Sequence, residues 1–293
     1  MFALSFGLGV LVFGGFIYLS PWFKGLSVWT LLCSWGIKGL AAITLLYVYT
    51  SVYPSRNEAD IFKYYDDGII LSEIAAEQPA AFTRIMLGTW NGNDLVYLNR
   101  LNYWFRSYDH GIANDNRMVI RVNALLNLVT RGSYGLNLVL FLALSWIGSY
   151  WLFRLFMELS TARITPFVAA FLLPSAIFWS SGILKEALLF FALGGFLYSL
   201  FQLYQRVRLG FLLLGMLSLF MLSFLKIYIL IALLPLVVIT WIWARTKSWR
   251  ILCISVIGFL SLFMLCHVLF FPEWSMLSTL QGKQFDFIQM AKA

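Results

Sequence analysis

Residues 58–68 read EADIFKYYDDG, with three aspartates, a lysine and two tyrosines in eleven positions directly after an apolar run. Wound as a helix, Asp60, Lys63, Tyr64 and Asp67 fall at i, i+3, i+4 and i+7 on one face, and Asp66 points away. Asp60 and Asp67 are then about 10 Å apart along the axis, too far to share one metal ion unless Gly68 bends the chain. Such a cluster can abstract a proton through Asp60 or Asp67, with Tyr64 beside them to bind substrate. It can also hold a divalent cation such as Mg or Mn on Asp66 and Asp67. The same residues equally suit a solvated helix on which Lys63 pairs with its aspartates.

Cations come from three later places. In LLPSAIFWSSGILKEALLFF, residues 172–191, a proline-bearing helix is expected to end near Trp179. Ser180 or Ser181 then caps the next helix, and Lys185 falls in its first turn. A lysine there opposes the helix dipole by about 0.3–1 kcal/mol, a sign that reverses once an anion binds the same helix end. Glu186 either holds Lys185 or adds another acid; a lysine reaching for the membrane interface is the plainer alternative. Arg117 and Arg121 in NDNRMVIRVNALLN are one turn apart, so both guanidiniums suit the oxygens of one phosphate, or of lipid headgroups. Lys226 and Tyr228 stand at a corner between two apolar runs. Lys38 lies inside an apolar run and is expected to snorkel to its end. His110 and His267 have no ligand-spaced partners, and no glycine-rich nucleotide loop is present, which excludes a zinc motif and cytosolic nucleotide chemistry.

The elements that must position these groups are membrane helices. The chain is 61% hydrophobic and 12% charged, far from a soluble domain of its length, and shows no short alternating strands. Its fold class is an all-α polytopic membrane protein, with no basic leader and no cleavage site at the start. Cys33, Cys253 and Cys266 lie in apolar segments as packing residues. Expected spans are Ala3–Ser20, Thr30–Tyr53, Leu136–Phe153, Thr165–Trp179, Ala187–Tyr204, Phe211–Phe224, Ile227–Trp243 and Ile251–Phe271. Segment 54–132 carries eight basic against nine acidic residues, so of the net charge of +8 the remainder holds +9. Connections with Lys24, with Arg154 and Arg163, with Arg206 and Arg208, and with Arg245, Lys247 and Arg250 are therefore expected inside. Segment 54–132, the SSGILKE turn and the Lys226 corner are expected outside, as are the 272–293 tail and both termini. The positive balance needs no nucleic acid to explain it. Within 54–132, two amphipathic stretches, IFKYYDDGIILSEIAAE and NRMVIRVNALLNLVT, read as helices lying along a membrane, separated by the turn GTWNGND. The whole of 1–293 reads as one integral membrane domain.

An acidic, tyrosine-bearing stretch opening the first large external loop resembles the GT-C superfamily of membrane glycosyltransferases, as do surface helices in that loop. PSAIFWSSGILKE resembles the Phe-Trp-Ser-Ser-Gly…Lys-Glu turn of some bacterial members. The likeness covers most of the chain, although members usually carry one helix before the acidic loop and two are expected here. The resemblance implies transfer of a sugar from a polyprenyl-phosphate carrier to a glycan or lipid acceptor on the external face of a bacterial inner membrane. Asp60 would then be the base, with Asp67 and Asp66 next, and Arg117, Arg121, Lys185 and Lys226 would hold the lipid phosphate. A glycan polymerase, a transporter or flippase, and a non-catalytic subunit of an envelope complex are the alternatives.

Overall fold

The computed structural model describes residues 2–250 except 24, 54, 106–114 and 163, together with 251, 253, 254, 256–258, 261, 284, 285 and 288. For 231, 234, 236 and 240–245 it describes the backbone alone. Expectations that fall on Lys24, His110, Arg163, the Arg245 side chain, Cys266, His267, most of the last expected span and most of the 272–293 tail lie outside the described residues.

Every described element is helical. The order is α1 Phe2–Leu19, α2 Val28–Val52, α3 Asp60–Glu77, α4 Pro79–Leu87, α5 Leu95–Leu98, α6 Asn116–Thr130, α7 Tyr134–Leu159, α8 Ile164–Phe171, α9 Pro174–Trp179, α10 Lys185–Gln205, α11 Leu209–Leu225 and α12 Ile227–Thr246. Among the described residues four helices, α1, α2, α7 and α10, are long and apolar enough to cross a bilayer. The chain divides into two compact units, 1–106 with 114–225, and 107–113 with 226–293.

In the first unit α7 is the central post, packed against α1, α2, α8 and α10, and α11 packs on α10. Helices in a bilayer gain little from hiding apolar side chains, so small residues that admit close backbone approach set the contacts. A methyl on Gly148 of α7 would overlap the Phe190 carbonyl of α10, and one on Gly194 of α10 would overlap the Gly148 carbonyl. Gly195 of α10 faces Ser218 of α11 in the same way.

The span expected over Thr165–Trp179 is not one helix. It breaks into α8 and α9, of 8 and 6 residues, because Pro174 forces Leu173 into extended backbone at φ −68° and ψ 115°. Between α11 and α12 the helix does stop, at Lys226, although no Gly or Pro marks the place. That interruption divides the expected 211–243 stretch in two. Lys226 belongs to the second unit, in which Ile229 N donates to its carbonyl at 3.0 Å.

The amphipathic stretches form α3 and α6, which pack on each other and, through α6, onto α7. Gly68 does not bend α3, which runs unbroken from Asp60 to Glu77. It is instead the point of nearest approach to α6, where an added Cβ would lie 2.5 Å from that of Asn123. A buried amide cluster ties the pair to the post. Asn137 of α7 donates to Asn127 at 2.7 Å and to Asn123 at 3.3 Å, and accepts from Thr130 at 2.6 Å.

Candidate functional site

Asp60 is the first residue of α3, where a carboxylate is favoured by the free N–H groups of the helix end. Its side chain is 48% exposed and its Oδ1 accepts from Lys63 at 3.2 Å. The other aspartates of the stretch are committed elsewhere. Asp66 receives Arg56 in a two-pronged pair at 3.0 and 2.7 Å, with the guanidinium stacked on Phe62. Asp67 is fully buried and accepts from the backbone amides of Asn102 and Tyr103 at 2.9 and 2.7 Å. Burial pushes its carboxyl up to about 6, against the pull of those two amides and with a smaller push from Asp66. Asp67 therefore pins the 99–105 loop to α3, and both its oxygens are turned to that task.

This donor set does not fit a divalent metal. Asp66 is neutralised by a guanidinium, Asp67 is spent on amides, and no group of three or more potential ligands gathers among the described residues. No step is routed through a metal.

Lys185 falls in the first turn of α10, as its position predicts, but neither Ser180 nor Ser181 caps that helix. The cap is Leu184, in extended backbone. The two hydroxyls fold back instead onto the last turn of α9, donating to Ala176 O and Ile177 O at 2.5 and 2.6 Å. Lys185 pairs with Asp115 at 2.8 Å. Its ammonium also sits over the ring of Tyr64, 5.6 Å from the centroid. The 180–186 turn and the acidic helix thus meet through Lys185 and Tyr64, 121 positions apart in sequence, with Asp115 at the start of α6 against the same lysine.

Arg117 and Arg121 share an aromatic support. Their guanidiniums lie 5.6 and 5.0 Å from the centroid of Trp104, and Arg117 also covers Phe105 at 5.5 Å. Arg117 donates to the Trp104 carbonyl at 3.0 Å and Arg121 to the Ile85 carbonyl at 3.0 Å. Burial first, and the neighbouring Arg117 second, push Arg121 down to about 10. Two like charges held side by side and partly desolvated attract an anion, and phosphate oxygens match the guanidinium fork.

Comparison with protein-family models, with curated proteins and with solved structures finds no match to this chain. What the site can do rests on its own geometry.

Two residues escape a reading of the sequence. Asp115 stands at the N-cap of α6, yet its carboxylate does not cap the helix and reaches Lys185 instead. An aspartate at the head of an amphipathic helix is the available signal, and it is what an ordinary cap also looks like. Lys38 does not snorkel. It is 5% exposed near the middle of α2 and donates to Ser180 Oγ at 2.8 Å, a partner 142 residues later.

Proposed function

We propose that the chain is an integral membrane glycosyltransferase of the GT-C kind. It moves a sugar from a polyprenyl-phosphate carrier to a glycan or lipid acceptor in cell-envelope polysaccharide or glycolipid assembly. Eight spans, with the basic connections in the cytoplasm of a bacterial inner membrane, put 54–132 and the 180–186 turn on the external side. One observation carries the reading: Lys185 of the later turn lies against Asp115 and Tyr64 of the first long segment.

In the proposed reaction Asp60, the most exposed carboxylate of α3's first two turns, takes the proton from an acceptor hydroxyl. The acceptor oxygen bonds to the anomeric carbon as the bond from that carbon to the carrier phosphate oxygen breaks. The departing lipid phosphate keeps the electron pair, and Arg117, Arg121 and Lys185 stabilise its growing charge.

The test uses purified full-length protein in lipid nanodiscs with a labelled polyprenyl-phosphate sugar. Asp60→Asn is expected to abolish transfer while the protein stays folded, and transfer at the parent rate would remove Asp60 as the base. A transporter is the second reading, favoured by the burial of Lys38 halfway along a membrane-length helix. Vesicle uptake of a lipid-linked sugar that survives Asp60→Asn would select it.

A further inference from the structure

α2 presents one stripe to the interior: Leu31, Trp35, Lys38, Ala42, Leu45 and Tyr49, at alternating spacings of four and three. Two points on that stripe meet the turn that leads into α10. Lys38 Nζ donates to Ser180 Oγ at 2.8 Å. Gly182 packs so tightly on Leu45 that a Cβ there would overlap the leucine methyl. From Lys38 to Leu45 the stripe rises about 10 Å, so the turn climbs along α2 from its middle toward its end instead of lying at one level.

The lower end of that climb is fastened twice. Ser180 gives its proton to the Ala176 carbonyl, which leaves its oxygen lone pairs for the Lys38 ammonium. The Ser180 carbonyl in turn accepts from Ser145 of α7 at 2.8 Å. A small cavity beside the ammonium is lined by Ser34, Ser149, Ala176 and Ser180, with no carboxylate in its wall. The lysine is therefore committed to the turn and not to an acidic partner among the described residues. Between Ser180 and Lys185 every residue is buried: Ser181, Gly182, Ile183 and Leu184. A shift at Ser180 has no slack in which to dissipate before it reaches Lys185.

We propose that Lys38 is a positioning residue: through Ser180 it sets the depth of the 180–184 turn and thereby holds Lys185 against Asp115. The role deepens the proposed transferase reading and rests on it, but the geometry it asserts exists without substrate.

The test is a thiol-linking assay on full-length protein in nanodiscs, with Asp115→Cys and Lys185→Cys introduced and Cys33, Cys253 and Cys266 changed to serine. A short bifunctional thiosulfonate joins the two positions, and its rate is read in folded protein isolated by size exclusion. Lys38→Met is expected to slow linking roughly tenfold, the factor set by losing a hydrogen bond to a charged group. Ser180→Ala, which removes one oxygen and keeps the volume, is expected to slow it similarly. The double variant should be no slower than either single change, because both break the same bond. Unchanged linking in Ser180→Ala, or additive slowing in the double variant, overturns the inference. A fall in melting temperature with linking intact does so too, since it shows support of the fold alone. Sugar transfer is assayed separately, so loss of the transferase reading leaves this result standing or falling by itself.

Discussion

The Lys185 ammonium lies 2.8 Å from an Asp115 carboxylate oxygen, both side chains about four-fifths buried. At rest the lysine is already balanced, so an incoming phosphate has to displace a carboxylate to reach it. Asp115→Asn is expected to tighten binding of a polyprenyl phosphate about tenfold, and Lys185→Met to weaken it by a similar factor. Titration of nanodisc-embedded protein followed by native mass spectrometry reads both. Equal affinities in the two variants would show that Lys185 takes no part in holding the anion.

Asp60 and Asp67 sit seven residues apart and should respond in opposite ways. Asp60 is half exposed with one lysine beside it, so Asp60→Asn is expected to change stability by less than about 0.5 kcal/mol while removing activity. Asp67→Ala strips the acceptor from two loop amides and is expected to cost about 1–3 kcal/mol of stability. Chemical denaturation in detergent, run beside the transfer assay, separates the two.

Asp67 also predicts a pH dependence. Its carboxyl is raised from 3.8 to about 6 on folding, so between those values the folded protein binds the proton that the unfolded chain has released. Stability from this group is full below 3.8 and declines as the pH rises through about 6. Thermal unfolding in detergent across that window should show the decline, and Asp67→Asn should flatten it.

Arg121 should not tolerate lysine. Its guanidinium lies over Trp104 while one arm holds the Ile85 carbonyl, a planar geometry that an ammonium cannot reproduce. Arg121→Lys is expected to lose binding of lipid phosphate nearly as far as Arg121→Met. Full recovery by lysine would mean that charge alone matters there.

Two glycines give a paired test of helix approach. Gly68→Ala drives a methyl into Asn123 and is expected to destabilise by about 1–3 kcal/mol. Gly36→Ala in α2 meets nothing within 4 Å and is expected to gain about 1 kcal/mol from helix propensity. Melting temperatures of the two variants check the contrast.

Much of the architecture is legible in residue order. The apolar runs locate α1, α2, α7 and α10, and a period of 3.6 locates α3 and α6, because both signals are local. The Arg117 and Arg121 pair is legible for the same reason, since one helical turn separates them. The α8–α9 break is legible in principle from Pro174, but the apolar character of the surrounding run outweighs it in a hydropathy reading. The stop at Lys226 is marked by no Gly or Pro, only by a charge standing between two apolar runs. Partners decided by tertiary packing stay hidden. Nothing near Lys185 in sequence points to Asp115, and the burial of Asp67 depends on a loop more than thirty residues away.

The distance in sequence between Lys38 and Ser180 bears on how the protein is made. A ribosome working at roughly 5–20 residues per second needs about 7–30 s to deliver a serine that lies 142 positions after its lysine. Through that interval α2 enters the bilayer with an unmatched cation, a burden of about 2.5–3.5 kcal/mol at helix centre. The nascent helix is therefore expected to sit shallow, or beside the insertion machinery, until Ser180 arrives to receive the cation.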